Sequence, residues 1–152
     1  MSRPMEPRNP RFAERTVESF NAQAVMHTLN ATIGDVQPGR VEIAFPHAPA
    51  LCQQHGFIHA GILSTVLDSA CGYAAFSLMP QDAGVLTIEF KINLLSPASG
   101  ESFRALGQVV KPGRNVTVAE GQMFAIDDGS EKLIASMTGT LMSIYGREDV
   151  KG

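Results

Sequence analysis

Asp68 is the one formally charged residue between Glu42 and Asp82, and it interrupts a run, His59 to Met79, that otherwise reads as an apolar helix. A carboxylate is rarely buried unless it is paired or used. Used, it can take a proton from water or attack an electrophile itself. The same run opens at Ala60 and Gly61, directly after the glycine-broken stretch Gln53-Gln54-His55-Gly56-Phe57-Ile58-His59. Backbone N–H groups at a helix start are unpaired and carry the positive end of the helix dipole, which suits a developing oxyanion. Asp68 lies eight residues beyond Ala60, roughly 12 Å along the axis at 1.5 Å per residue. A short acid cannot reach a carbonyl held at the start of its own helix. If both groups serve one substrate, the acid must come from a second subunit whose helix runs antiparallel across a two-fold axis.

Rival readings of these residues are structural. Asp68 could bond Ser64 or Thr65 one turn back. His55 and His59 are four apart, but no third ligand is evident and Gly56 interrupts a helix there, so no metal is expected. There is no Gly-x-Ser-x-Gly elbow and no phosphate-cradling glycine-rich loop. Cys71, inside the apolar run, reads as an inert buried thiol.

The elements that must position Asp68 and Ala60 follow from periodicity. The chain has 152 residues, 44% of them hydrophobic and 18% charged, which predicts one globular domain over 1–152 with loose ends at 1–9 and 147–152. A net charge of −3 and a pI near 5.8 argue against a nucleic-acid surface. Cys52 and Cys71 form no CxxC, and Arg3, Arg8, Arg11 and Arg15 are not followed by a signal-peptide core, so a reducing, cytoplasmic setting is expected. Ala60 to Met79 is not read as membrane-spanning, because an Asp at mid-membrane costs about 2.5–3.5 kcal/mol on insertion scales. Its all-round apolarity means that protein covers it.

Pro10 to Phe20 predicts a short helix. Ala24 to Ile33 and Arg40 to Phe45 read as strands of a hairpin around the turn Asp35 to Gly39. After the helix, Leu86, Ile88, Phe90, Ile92 and Leu94 alternate with Thr87, Glu89, Lys91 and Asn93, predicting a half-buried strand with the first set facing the core. Ser102 to Lys111, Asn115 to Ile126 and Lys132 to Ile144 follow, separated by Pro112-Gly113 and Asp127-Asp128-Gly129-Ser130. They predict an antiparallel meander. One sheet with a helix laid across it is an α+β arrangement.

The joint spacing of Gln53-x-His55-Gly56-Phe57-x-His59-Ala60-Gly61, Asp68 and the strand ending Leu95-Ser96-Pro97-Ala98 resembles the hotdog-fold acyl-CoA thioesterases, in particular the phenylacetic-acid-degradation group, over roughly 20–145. The resemblance implies an antiparallel sheet curled round the helix, paired into homodimers or homotetramers, that hydrolyses acyl-CoA thioesters. It assigns the catalytic carboxylate to Asp68 and the side chain that holds the water or the carboxylate to Gln53. It places His59 and Ala60 at the step whose backbone N–H polarises the thioester carbonyl. Ala60 stands where the family has glycine, and it would be strained if positive φ were needed there. Thr87 matches a hydroxyl that helps position the water, and the alternation above would turn it toward a subunit interface. Around Pro112, the side chains of Lys111 and Arg114 with Gly113 and Asn115 would meet the phosphates of coenzyme A, although charged residues in a turn are also ordinary solvated ones. Leu63, Tyr73 and Phe76 are candidates to line the acyl site, and they are equally suited to the core. Coenzyme A would enter as part of the substrate, with no separate cofactor. The other class of function on this fold is a non-catalytic acyl-CoA-binding module or sensor, which would not need to keep the acid; a hydratase or dehydratase would need a differently placed His.

Overall fold

In the computed structural model, which describes residues 5–152, three α-helices and six strands follow one another. They are α1 (Phe12–Ala22), α2 (Ala24–Thr28), β1 (Thr32–Gln37), β2 (Arg40–Pro46), α3 (Ala60–Phe76), β3 (Ala83–Leu94), β4 (Ser102–Lys111), β5 (Val116–Asp127) and β6 (Ser130–Tyr145). A single 3-10 turn, Pro49–Leu51, lies between β2 and α3. The strands form one antiparallel sheet in the order β1-β2-β4-β5-β6-β3. β4, β5 and β6 make the expected meander. β3 does not join it at β4; the chain crosses the sheet, leaving β3 at the far edge beside β6.

α3 lies across one face of the sheet. Alternate residues of the central strands, among them Val41, Ile43, Phe45, Phe103, Ala105, Met123 and Met137, point at it and are almost wholly buried. Phe45 and Phe103, cross-strand neighbours, stack with ring centroids 5.0 Å apart. The apolarity of α3 all round has two causes. One side packs on the sheet; the other, from Ser69 onward, is covered by α1, where Phe20 meets the edge of Tyr73. The covering is partial. Gly61 is exposed, and Thr65 and Asp68 are half-buried. No helix among the described residues is long and apolar enough to cross a membrane.

On the outer face, Arg104 of β4 bonds Glu42 of β2 at 3.0 Å and Glu131 of β6 at 2.8 Å, and lies over the Phe124 ring of β5. Each such pair contributes at most about 1 kcal/mol at a surface. The network chiefly ties four strands in register.

Three expectations are corrected. Ala24 to Ile33 is not a strand: α2 occupies its first half and β1 begins only at Thr32. Asn30 takes a left-handed φ of 52°, with Asn30 N–H donating to the His27 carbonyl and Ala31 N–H to the Met26 carbonyl. That is the double bond of a Schellman ending, for which Asn is a common alternative to Gly.

The second correction concerns β3. Its register shifts between Thr87 and Glu89, leaving Ile88 as a bulge. Before the bulge Ala83, Val85 and Thr87 face the helix; beyond it contact with the core passes to Ile92. The apolar residues expected inside are instead exposed, Leu86 by 49%, Ile88 by 54%, Phe90 by 43% and Leu94 by 55%. The extra residue turns Leu86 outward and Thr87 inward relative to Ile92, whereas Phe90 and Leu94 stay on the Ile92 face, opposite Gly139 and Ala135, and are exposed there at the edge of the sheet.

The third concerns the expected loose ends, of which residues 1–4 lie outside the described residues. Beyond them, Arg8 N–H donates to the Leu78 carbonyl, Asn9 is buried, and Gly152 reaches Phe76 and Arg15. Asn9 is therefore held against the domain and Gly152 lies beside Phe76, while Glu6, Arg8, residues 147–149 and Lys151 remain exposed.

α3 sits so close to the sheet because β4 carries no side chain at Gly107. A Cβ there would stand 2.2 Å from the carbonyl oxygen of Ala70 and 2.7 Å from the backbone nitrogen of Cys71. The obstacle is helix backbone, which cannot swing aside. Gly107→Ala is expected to destabilise the protein by about 3 kcal/mol or more. Gly129→Ala meets open space but a φ of +78°, and is expected to cost only about 1 kcal/mol. Urea denaturation of the two variants checks the order.

Candidate active site

Gln53 opens a small turn in front of α3. Its backbone N–H donates to the Phe57 carbonyl, its carbonyl accepts from Gly56 N–H, and Gly56 supplies the φ of 88° that the turn requires. The side-chain Oε1 of Gln53 accepts from the backbone N–H of His55 and of Phe57. Only its amide N–H groups remain for a water or a carboxylate.

His59 caps α3. Its backbone is extended (φ −61°, ψ 138°), and its ring Nδ1 accepts a 2.8 Å hydrogen bond from Gly61 N–H. A ring nitrogen that accepts is unprotonated, so in the neutral ring Nε2 carries the proton. The His59 carbonyl accepts from Ile62 and Leu63 N–H. Of the two donors the sequence offers for an oxyanion, Gly61 is therefore taken by the cap. Ala60 N–H meets no acceptor among the described residues. Ala60 is not among the residues with positive φ, so its methyl carries no backbone strain. The N–H opens on a groove of about 500 Å³ between Gln53, Phe57 and Leu63 on one side and Leu94, Leu95 and Pro97 on the other.

Asp68 lies in a different cavity. Thr87 Oγ donates a 2.7 Å hydrogen bond to its Oδ1, while Oδ2 meets no donor among the described residues. Neither Ser64 nor Thr65 serves it; their hydroxyls donate back to the carbonyls of Ala60 and Gly61. Thr87 faces the helix of its own chain, not outward as the strict alternation expected, because the bulge follows it. The cavity, about 260 Å³, is also bounded by Gln23, Ser69, Tyr73 and the terminal segment Asp149–Gly152. Burial pushes the Asp68 carboxyl above its ordinary value, and the Thr87 hydrogen bond opposes that shift.

Within one chain, then, Gln53, His59 and Ala60 share a groove, Asp68 and Thr87 share a cavity, and α3 holds the two sets roughly 12 Å apart. Lys111, Gly113, Arg114 and Asn115 stand in a third place, the β4–β5 turn at the C-terminal end of α3, beside Arg8 and Leu78. β6 grips this turn: Ser143 N–H donates to the Asn115 carbonyl and Tyr145 Oη–H to that of Arg114. Lys111 and Arg114 form no ion pair among the described residues, so both keep their charge for solvent or an anion. His55 and His59 are exposed, and no cluster of three His, Cys, Asp or Glu side chains occurs among the described residues. Burial and the nearby Asp68 and Glu120 charges push the Cys71 thiol up to about 12.

The sequence reading missed Gln23 and Ser69. Gln23 has no motif around it, and only the break between two helices brings it to the cavity. Ser69 is adjacent to Asp68 and looked like an ordinary helix residue.

Comparison with known proteins bears on both fold and chemistry. Residues 55–132 match the model of the thioesterase superfamily. A crystal structure of a thioesterase family protein from Silicibacter pomeroyi is 58% identical, with a TM-score of 0.88 over 89% of this chain and 99% of that one. A protein of Halobacterium salinarum with a provisional esterase name is 33% identical over 71% of this chain and 75% of its own length. The E. coli PaaI protein from the phenylacetic acid degradation operon is 20% identical, with a TM-score of 0.78 over 88% of this chain and 93% of that one, which shows a shared fold. The arrangement expected from the resemblance, a hotdog fold, is the one found.

The raised Asp68 carboxyl has a consequence for stability. The native state holds this proton at a pH where the unfolded chain, near 3.9, has released it, so stability falls as pH rises between the two values. At neutral pH the ionised, desolvated carboxylate carries its full cost. Asp68→Asn is expected to melt higher than the parent at neutral pH, with the difference closing as pH falls toward the ordinary carboxylate value. Thermal melts of both proteins across that range test it.

Proposed function

Because this chain belongs to the thioesterase superfamily, we propose that it hydrolyses acyl-CoA thioesters to the free acid and coenzyme A, at sites shared between two subunits. The observation that carries the reading is the pairing of an unused helix N-terminal donor, Ala60 N–H, with a desolvated acid, Asp68, on one rigid helix that keeps them apart. Each is half of a site.

An interface is available to join the halves. β3 is an edge strand whose outer backbone groups lack a partner strand among the described residues, and its exposed Leu86 continues onto Met142 and Val116 on one face while Phe90 is exposed on the other. An unpaired edge with an apolar face favours pairing with an identical edge. Two chains joined antiparallel across β3 would bring α3 of one against α3 of the other in opposite directions. Ala60 of one then approaches Asp68 of the partner subunit. A homodimer is the smallest assembly that does this; a tetramer would be two such pairs.

In this reading the thioester oxygen accepts from Ala60 N–H, and the dipole of α3 stabilises the charge that grows there. Asp68, with Thr87 fixing one oxygen, takes a proton from a water that attacks the carbonyl carbon. The raised carboxyl is suited to this role, since a base closer to neutrality takes the proton more readily. Gln53 orients the water through its amide N–H groups. The C–S bond then breaks and coenzyme A leaves as a thiolate, a good enough leaving group to need no strong acid. Lys111 and Arg114 supply positive charge for its phosphates.

Two substitutions isolate the two halves. Asp68→Asn is expected to lower kcat about 100-fold or more. Ala60→Pro removes only the N–H, at the first helical position where proline is favoured, after a residue already extended as proline demands. It is expected to fold normally and to lose about 100-fold in kcat. Thiol release from a panel of aliphatic and aromatic acyl-CoA esters measures both. Co-refolding the two inactive variants in equal amounts is expected to restore about a quarter of parental activity, since half of the pairs are mixed and each mixed pair rebuilds one intact site. No recovery would show that the site lies within one chain.

A further inference from the structure

The stretch that follows β6, residues 147–152, takes no part in the chemistry above, yet it closes the Asp68 cavity from one side. Its last four residues line that cavity. Lys151 and Gly152 also line a larger surface cleft of about 750 Å³ between α1 and residues 80–82, so the stretch is the wall between the two spaces. Without it, the space beside Asp68 joins the cleft.

Two contacts seat this wall. Gly84 of β3, paired with Ile144 of β6, has no Cβ; one there would stand 2.2 Å from the carbonyl oxygen of Val150, 2.7 Å from its carbonyl carbon and 2.9 Å from its Cγ1. The strand leaves a notch that the backbone at Val150 fills. Further on, Gly152 lies beside Phe76 and Arg15. Arg15 is itself fixed, its guanidinium donating to the carbonyls of Pro80 at 2.9 Å and Ala83 at 2.5 Å. Among the described residues every hydrogen bond of 147–152 stays inside the stretch: Val150 N–H donates to the Arg147 carbonyl, Arg147 to Asp149 and Lys151 to Glu148. A segment seated by fit, with no hydrogen bond to its support, lifts without unfolding the sheet.

The titratable groups facing Asp68 are Cys71 and Tyr73 from α3, and Asp149 and Lys151 from this stretch; α1 and β3 present only uncharged side chains there. Cys71 and Tyr73 are pushed up by burial and stay neutral. Asp149 and Lys151 are opposite in sign, and each is paired within the stretch, with Arg147 and Glu148. The four charges cancel. What the stretch can change at Asp68 is therefore its access to water, and burial is the largest cause of the raised carboxyl.

We propose that residues 147–152 are a strap whose seating on Gly84 positions Asp68 for its part in hydrolysis, by keeping bulk water off the carboxylate. This rests on the thioesterase reading and deepens it. A carboxylate wrapped in bulk water is a weaker base; one kept dry takes the proton of the attacking water more readily.

Two variants lift the strap by different means. Gly84→Ala adds the methyl that the notch excludes and is otherwise acceptable in a strand, since Gly84 has no left-handed φ. The other variant ends at Gly146. In the full-length chain, trypsin is expected to cut after the exposed Arg147 about tenfold faster in Gly84→Ala than in the parent. On a panel of acyl-CoA esters, the acid limb of kcat/KM is expected to move to lower pH in both variants, because a better-hydrated carboxyl returns toward its ordinary value and stays ionised in more acid solution. Gly84→Ala in the shortened chain is expected to move it no further than the shortening alone, since both changes remove one contact. A second readout needs no turnover: the melting advantage of Asp68→Asn at neutral pH is expected to shrink in both backgrounds. Cleavage at the parent's rate, or an acid limb and a melting advantage that survive loss of the strap, overturns the proposal and leaves the stretch as packing. A parent inactive on every ester removes the thioesterase premise, and the melts alone then decide whether the strap keeps Asp68 dry.

Discussion

A straight helix is a ruler, and the length of α3 between Ala60 and Asp68 constrains everything else about the site. The free N–H belongs to the first residue of the helix and the carboxylate to its third turn. Neither can move toward the other without breaking the i to i−4 hydrogen bonds between them. The rest of the molecule holds that ruler in place. Three central strands lie under it, and the absence of a side chain at Gly107 lets its backbone rest directly on the sheet. α1 covers the far side of its second half, and the first half stays open beside the uncovered edge of β3.

The two groups are prepared differently. At Ala60 the preparation is a subtraction: the His59 cap takes Gly61 N–H and the His59 carbonyl takes those of Ile62 and Leu63, leaving one donor facing the groove. At Asp68 it is a conflict between burial, which disfavours the charge, and a single hydroxyl, which favours it. A carboxylate placed for stability would be surrounded by donors. Asp68 has one, and its second oxygen meets no donor among the described residues.

Much of this was legible in the residues. The lone acid in an apolar run located the cavity, the helix start after Gly56 located the donor, and the turns at Pro112-Gly113 and Asp128-Gly129 marked the meander. What the sequence concealed had local causes. Asn30, in a left-handed turn, ends a short helix within a stretch whose β-branched and apolar residues suggested a strand. The bulge at Ile88 is invisible to a rule of strict alternation, and it alone turned Thr87 toward Asp68 and Leu86 outward. The cap made by His59 was hidden as well, because nothing in the residue's type says that its ring will fold back onto the helix. Gln23 carries no pattern at all; its place depends on two helices meeting at an angle.

The bulge in β3 has a wider bearing. With Ala83, Val85 and Thr87 turned in before it and Ile92 after it, one edge strand divides its allegiance, and the greasy side chains left outside sit next to hydrogen-bonding backbone that no neighbour satisfies. A solitary copy would carry that adhesive margin into the crowded fluid around it, so dilution and concentration become variables of its solubility. The bulge also leaves Leu86 on one side of the ribbon and Phe90 on the other, so whatever covers this margin meets grease on both.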